Sequence, residues 1–418
     1  MNFNESVEYI HSLLQFGIKP GLERISMLLE ALGNPQDKVK TIHIAGTNGK
    51  GSTSTHLANI LMSAGYKTGL YTSPYVLSFC ERIQIDGENI PKDDLAQTVT
   101  KVKSEIEKLN EQGIIITEFE AITATAFLWF YESGCDYAVI EVGLGGRFDA
   151  TNAIKKPEAV VITSISLDHT KILGDTISQI AFEKCGVIKY GVPVITSQNQ
   201  DAQALSVIRK TATEKNCNLI VANPKNAKVL FDSLKVMQVV KFAYKGNEFI
   251  LKLNGEHQIE NAVNVIETAK VLGIDDRYIK EGLAKTTMLA RMEVIGENPL
   301  IIRDGGHNEG CANALYNFLT KYNVQNINML IGLMADKDVE GYVSKIAPLC
   351  KSVVTVTPSN PRALDSENLK EIAEKYCKNV KSINAPKEGY KYILSNTKKD
   401  ETILVCGSFY LMSDIFGE

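Results

Sequence analysis

The stretch Thr41-Ile-His-Ile-Ala-Gly-Thr-Asn-Gly-Lys-Gly-Ser-Thr53 constrains the fold of this chain more than any other. Thr41 to Ala45 alternates β-branched and apolar residues and reads as a short buried strand. Gly46, Gly49 and Gly51 permit a tight loop whose backbone N–H groups can close around an anion. Lys50 adds a point charge for phosphate oxygens. Ser52 opens a helical run through Met62, whose first N–H groups would face the same anion. The common phosphate loop puts four residues between its first Gly and Gly-Lys, with Ser or Thr directly after. Here two residues intervene, and Gly51 separates Lys50 from Ser52. A ligand-free glycine turn is the alternative, but strand, glycines, lysine and helix start all agree on phosphate.

Helices alternate with short apolar strands along much of the chain. Helices are expected at 4–15, 21–32, 93–110, 117–131 and 256–272, and strands at 66–71, 136–141, 159–163 and 193–196. Such alternation implies parallel pairing through crossover helices, hence an α/β sheet covered on both faces. The loop, Ser73, Glu141 and Asp168-His169 each follow a strand, so they are expected to converge beyond the carboxyl ends. Residues 227–253 shift to alternating β character, read as a hairpin insertion. A linker is expected near Ile295–Pro299, followed by strands at 300–303, 326–331, 352–356 and 401–405. The fold class expected is α/β, with a phosphate-loop, parallel-sheet domain over 1–295 and a smaller Rossmann-like α/β domain over 296–418.

A chain of 418 residues, 44% hydrophobic and 22% charged, has the balance of a soluble globular protein. Its net charge of −4 gives no broad attraction to nucleic acid or anionic membrane, so neither partner is expected. No apolar run approaches transmembrane length, and Met1 to Ser6 is too polar for a signal peptide. The eight cysteines are scattered without a Cys-x-x-Cys, which fits reduced thiols and a cytoplasmic location.

Glu141-Val-Gly-Leu-Gly-Gly-Arg-Phe-Asp-Ala-Thr-Asn152 begins with a carboxylate at a strand end, where it either holds Mg²⁺ or caps a glycine loop. His169, in Ile165-Ser-Leu-Asp-His-Thr170, is either a hydrogen-bonded structural histidine or a ligand. Lys184, taken alone, reads as a solvated helix lysine. Asp304-Gly-Gly-His-Asn308 reads either as an ordinary strand–helix turn or as part of a site.

In this order the pieces resemble the folylpolyglutamate synthase and dihydrofolate synthase family, within the Mur ligase superfamily. The resemblance runs nearly end to end. Pro20 to Ile25, Leu32 to Gln36, the loop at Gly46–Ser52, Tyr71 to Pro74, Glu81 to Ile83, Glu141 to Asn152, Ser166 to His169 and Glu183-Lys184 match in turn. Asn261, Arg291-Met-Glu293, Asp304 to Asn308, Pro361-Arg362 and Gly407 to Tyr410 continue it. Two positions depart: Tyr75 stands where the family commonly has His, and Arg303-Asp-Gly-Gly-His-Asn-Glu309 replaces Leu-Asp-Gly-Ala-His-Asn-Pro. The shape of the pterin pocket near Tyr75 is what these changes touch.

The resemblance implies a role for each segment. Thr47, Asn48, Gly49, Lys50, Gly51 and Ser52 would cradle ATP, completed by Asn261, Arg291 and Asp304, with ATP clamped between two domains. Ser73 and Glu141 would hold one Mg²⁺; Glu141, His169 and a carbamylated Lys184 would hold a second. His307 would lie beside the phosphates, so Lys50, Lys184 and His307 form the catalytic set. Thr117, Glu118, Phe119, Glu120, Phe148, Asp149 and Ala150 would contact the pterin-bearing substrate. The implied reaction joins L-glutamate to dihydropteroate, a reduced folate, or both, through an acyl phosphate, and a monomer is expected. The chemistry suits the residues, because joining a carboxylate to an amine in water requires activation. Cation charge at the loop offsets the charge that builds during phosphoryl transfer, and closure would keep water from the acyl phosphate. A nucleotide-driven switch protein is the competing class, but no Asn-Lys-x-Asp guanine-reading motif occurs and the loop spacing differs. A silent folate-binding protein is a third, opposed by the intact set Lys50, Glu141, His169 and Lys184.

Overall fold

The computed structural model describes residues 1–17, 20–235 and 239–417. The chain divides into two compact units: Met1–Tyr75, Phe79–Asn226 and Glu260–Leu283 form one, and Val76–Ser78, Ala227–Ile259 and Ala284–Glu418 the other.

The first unit opens with helices α1 (Phe3–Ser12) and α2 (Glu23–Ala31). The Asn2 side chain caps α1 by accepting from Glu5 N, and the Glu5 carboxylate accepts from Asn2 N in return. Strand β1 (Lys40–Ala45) and helix α3 (Lys50–Ser63) flank the glycine loop, and β2 (Thr68–Tyr71), β3 (Ile83–Ile85) and β4 (Glu88–Asn89) follow. Helices α4 (Lys92–Glu111) and α5 (Glu118–Glu132) lead to β5 (Tyr137–Glu141) and then β6 (Ala159–Ile162). A short α6 (Thr170–Leu173), α7 (Ile177–Cys185), β7 (Val194–Ser197), α8 (Ala202–Glu214) and β8 (Leu219–Ala222) complete the run.

These strands form one eight-stranded sheet ordered β4-β3-β2-β5-β1-β6-β7-β8. It is parallel from β2 to β8 and antiparallel at β3 and β4. The central strands β5, β1, β6 and β7 are buried along their length apart from Lys40, because both faces are covered. Ile10, Leu28, Val99, Ala121 and Phe130 pack on one side; Ile180, Val187, Ala204 and Ile208 pack on the other. Strand β1 sits between β5 and β6 although β2 follows it in the chain. That reversal of strand order opens a crevice beyond the carboxyl end of β1. The glycine loop, Glu141 and Thr163-Ser164 all leave strands there.

Strands β9 (Lys228–Ser233), β10 (Val239–Tyr244) and β11 (Asn247–Leu251) form an antiparallel sheet ordered β11-β10-β9. This is one strand more than the hairpin expected. Helices α9 (Glu256–Val271) and α10 (Asp276–Lys285) follow, then β12 (Glu293–Glu297) and β13 (Leu300–Asp304). The last two pair antiparallel, so the linker expected at Ile295–Pro299 is instead part of a β-hairpin. Gly-Glu-Asn-Pro is a turn signal, and a turn between paired strands carries the same signal as a linker.

The remaining elements are α11 (Glu309–Lys321), β14 (Ile327–Ile331), α12 (Val339–Ile346), β15 (Cys350–Thr355) and α13 (Ser366–Ala373). Then come β16 (Val380–Ser382), α14 (Pro386–Asn396), β17 (Thr402–Cys406) and α15 (Phe409–Phe416). The sheet order is β12-β13-β17-β14-β15-β16, parallel apart from β12. Ile302, Leu315, Tyr342 and Leu404 fill one face, and Leu330, Val354, Ile403 and Leu411 the other. Here too the strand order reverses, with β17 between β13 and β14, so Asp304 and Gly407-Ser408 end strands at a switch point.

Candidate active site

The loop after β1 is held by contacts that only glycine allows. Gly46 has φ +153°, and a Cβ on it would lie 1.8 Å from Thr163 Oγ1. Gly49 has φ +85°, and a Cβ there would lie 2.4 Å from Asn261 Oδ1, so Asn261 on α9 lies against the loop. Helix α3 starts at Lys50, two residues before the Ser52 start expected, because Gly49 takes the left-handed conformation that ends the loop. The segment after β6 fixes the loop's outer edge. Thr47 N donates to Ser164 O at 2.8 Å, Thr47 Oγ1 to Ser166 O at 3.1 Å, and Ser166 N to Thr47 Oγ1 at 3.1 Å. Lys50 Nζ donates to the Thr47 carbonyl at 3.2 Å, which folds its charge back over the loop. The loop from Thr47 to Ser52 is thus fixed by contacts with Ser164, Ser166 and Asn261.

Lys184 reaches the same turn from another element. It lies in the last turn of α7, a helix capped at its start by Thr176 and Gln179. Its side chain is buried, and Nζ donates to the Gly46 carbonyl at 2.8 Å. Burial, and then the neighbouring Lys50 charge, push its pKa from 10.5 down to about 7, against the opposing pull of Asp168 and Asp149. An amine so placed is neutral for much of the time near pH 7 and keeps a lone pair. Neither the burial nor the contact with Gly46 is visible in a helix lysine read from sequence.

Glu141 ends β5 with its side chain buried, and its Oε2 accepts from Ser73 N at 3.3 Å. This contact brings Ser73 and Glu141 together as expected. His169 has φ +49° at the start of α6, with Nε2 3.8 Å from Asp168 Oδ1. The Ser73 hydroxyl and the Glu141 carboxylate are oxygen donors of the type a hard cation takes, whereas the His169 imidazole is a borderline nitrogen donor. Among the described residues no group of three or more His, Cys, Asp or Glu converges as a full protein cage.

The expected substrate segments meet around the loop that follows β5. Thr117 caps α5 in a capping box with Glu120, whose Oε2 accepts from Thr117 N and Thr117 Oγ1, both at 2.8 Å. Glu120 also pairs with Arg24 at 3.0 Å, so its carboxylate serves the structure. Glu118 starts the same helix, and the Phe119 ring fills the place where a Gly143 side chain would stand, at 2.4 Å. Asp149 is buried; it accepts from Leu144 N at 2.8 Å, Thr151 N at 3.0 Å and Thr151 Oγ1 at 2.6 Å. Burial raises the Asp149 pKa, and these hydrogen bonds pull it back. Ala150 is buried beside it, whereas Phe148 remains 45% exposed.

Arg291, Asp304 and His307 belong to the second unit. Asp304, at the end of β13, is buried and accepts from Met292 N at 3.0 Å and Gly306 N at 2.9 Å. Burial raises its pKa, and the Arg291 charge opposes that rise. The Arg291 guanidinium lies 4.6 Å from the Phe409 ring. His307 is half-buried two residues before α11, whose start Asn308 caps by accepting from Cys311 N at 2.9 Å. Sequence reasoning singled out these residues but gave no role to Thr163 or Ser164, and it quoted Phe409, Arg147 and Glu183 within matching segments without pairing Arg291 with Phe409 or Arg147 with Glu183. The hydroxyl-bearing residues directly after β6 were the only signal for the first two.

The chain matches the Mur ligase middle domain over residues 44–269 and the Mur ligase, glutamate ligase domain over residues 290–409. It is similar to the dihydrofolate synthase/folylpolyglutamate synthase of Bacillus subtilis, with 34% identity over 427 residues that cover 99% of this chain and 98% of the relative. Among solved structures it is similar to Mycobacterium tuberculosis folylpolyglutamate synthase complexed with ADP. That match has a TM-score of 0.89 and 30% identity, and covers 99% of this chain and 98% of the other. It is also similar to E. coli FolC in complex with DHPP and ADP, with a TM-score of 0.86, 27% identity, and coverage of 99% and 96%. Among the described residues no helix is long and apolar enough to cross a membrane.

Proposed function

We propose that this chain, which belongs to the folylpolyglutamate synthase and dihydrofolate synthase family of Mur ligases, joins L-glutamate to the carboxylate of a reduced folate and of dihydropteroate. ATP is consumed and ADP and phosphate are released. The observation that carries the reading is the buried Lys184 amine, 2.8 Å from the Gly46 carbonyl within the glycine loop. A switch protein has no use for a near-neutral amine there, whereas an acyl-activating site needs charge and ligands around a phosphoryl group.

The γ-phosphoryl group of ATP passes to the acceptor carboxylate, giving an acyl phosphate. The glutamate amine attacks the acyl carbon and phosphate leaves. Lys50 and the amides of Thr47–Ser52 hold the phosphate oxygens on which charge accumulates. By the family resemblance, Asn261, Arg291 and Asp304 would contribute to nucleotide binding and His307 would act on the phosphates. Ser73 and Glu141 would hold one Mg²⁺; Glu141, His169 and Lys184, as its carbamate, would hold a second. Bound Mg²⁺ supplies positive charge at the transferring phosphoryl group. A lysine ammonium has no lone pair for a metal, whereas the carbamate offers hard oxygens, and the depressed pKa of Lys184 supplies the neutral amine that CO₂ requires. Phe148 and Phe119 flank the aromatic substrate, while Thr117, Glu118, Glu120, Asp149 and Ala150 shape that wall. The protein acts as a monomer in the cytoplasm, a location that suits eight cysteines scattered without a Cys-x-x-Cys.

The test incubates the purified protein with ATP, Mg²⁺ and glutamate, plus either dihydropteroate or tetrahydrofolate. Phosphate release with both is expected. Release with neither acceptor overturns the reading, and release with one alone restricts it to that acceptor.

A further inference from the structure

Glu183 immediately precedes Lys184, and its carboxylate takes two arms of Arg147: Nη2 at 2.7 Å and Nε at 3.3 Å. The Arg147 backbone N–H donates to the Glu183 carbonyl at 2.7 Å. The guanidinium lies 4.4 Å from the Phe148 ring centroid and 5.0 Å from that of Phe182. Backbone meets backbone on both sides of this pair. A Cβ on Gly146 would fall 2.8 Å from the Glu183 carbonyl oxygen, and one on Gly186 would fall 2.4 Å from Arg147 Cα. Asn152 Nδ2 ties the same loop to the end of α7, donating to Arg147 O at 2.9 Å and Gly186 O at 3.3 Å.

We propose that Arg147 is a positioning residue, which by clamping Glu183 fixes the last turn of α7 and hence the place of the Lys184 amine beside the Gly46 carbonyl. The assignment rests on the ligase reading above. A planar guanidinium that grips both carboxylate oxygens fixes rotation as well as distance, which a lysine at the same position does not. The ordinary alternative is a surface ion pair, since the Arg147 side chain is 42% exposed and its Coulomb attraction is screened. Two features set it apart. The Glu183 side chain is only 19% exposed, and the residue that follows it is the buried amine itself. In addition, Arg147 adjoins Phe148, so one residue links the substrate wall to Lys184. A misplacement of about 1 Å at a reacting group costs up to about 100-fold in rate, so the clamp acts on catalysis more than on stability.

Arg147→Met keeps the aliphatic stem, and Glu183→Gln keeps the side-chain shape. Each lowers kcat about 10- to 100-fold, the range seen when a group supporting a reactive side chain is lost. The ATP Kd from calorimetry changes by no more than about twofold, because the amides and Lys50 are untouched. The double variant is no slower than the slower single, since each removes the same pair. Arg147→Lys keeps the charge and the fold but stays impaired, whereas a merely electrostatic surface pair is rescued by it. A crystal structure of Arg147→Met reads the position directly, with Lys184 Nζ displaced from its 2.8 Å contact to Gly46 O. That readout needs no turnover, so it stands even if the unmodified protein shows no glutamate-dependent ADP release, the outcome that sinks the ligase reading itself. A kcat for Arg147→Met and Arg147→Lys within about twofold of the parent, or an unmoved Lys184 contact in the variant structure, overturns the proposal.

Discussion

Replacing Lys184 with Met should make the protein more stable while abolishing turnover. The amine is fully buried and its pKa falls from 10.5 to about 7, chiefly through desolvation. At about 1.36 kcal/mol per pH unit, holding it charged costs the fold about 5 kcal/mol at low pH and about 4 kcal/mol at pH 7. The sign follows from proton binding. Between pH 7 and 10.5 the unfolded chain binds more protons at this residue than the native state, so its penalty shrinks as pH rises. By pH 9 about 2 kcal/mol of penalty remains. Methionine fills the site without charge and loses one hydrogen bond to the Gly46 carbonyl, a loss of about 1 kcal/mol. The net gain is therefore about 3 kcal/mol at pH 7, falling to about 1 kcal/mol at pH 9. The assay is denaturant unfolding of both proteins from pH 6 to 9 in CO₂-depleted buffer, taking differences so that other titrations cancel. A variant less stable than the parent at pH 7, or a difference that does not vary with pH, would show that Lys184 is a charged, paired lysine and refute the reasoning.

Gly46→Ala puts a Cβ 1.8 Å from Thr163 Oγ1, so the loop must shift and calorimetry should find ATP binding weakened at least about tenfold; binding unchanged from the parent would contradict this. His56 on α3 is fully buried, both ring nitrogens lack a hydrogen-bond partner among the described residues, and burial lowers its pKa to about 3. His56→Leu should therefore raise stability by about 1–3 kcal/mol, and a lower Tm would count against it. Asp149→Asn sets an amide N–H₂ against the Leu144 N–H or the Thr151 donors and should lower stability by about 1–3 kcal/mol. An unchanged Tm with weaker acceptor binding would instead make Asp149 a substrate contact alone.

Much of this fold is legible in the residues, because local pattern and tertiary role coincide. The apolar run Ala159–Ile162, for example, is a strand buried on both faces. The glycine loop is legible for the same reason: its glycines stand where Thr163 and Asn261 leave no room for a side chain. What is not legible depends on partners distant in the chain. Lys184 and Gly46 are 138 residues apart, and nothing local to α7 marks its lysine as buried. Thr117 and Glu120 read equally well as substrate contacts and as a capping box, since hydroxyl and carboxylate serve both ends. The turn at Ile295–Pro299 misled for a similar reason, as its pairing partner β13 lies on the far side of the signal.

The account stands or falls on whether the acceptor carboxylate itself takes the phosphoryl group. The acceptor is prepared with heavy oxygen in that carboxylate and incubated with the protein, ATP, Mg²⁺ and glutamate, and the released phosphate is analysed by mass spectrometry. Passage through an acyl phosphate transfers one labelled oxygen to phosphate for each glutamyl group joined. Phosphate free of label, with glutamate joined or not, would contradict it.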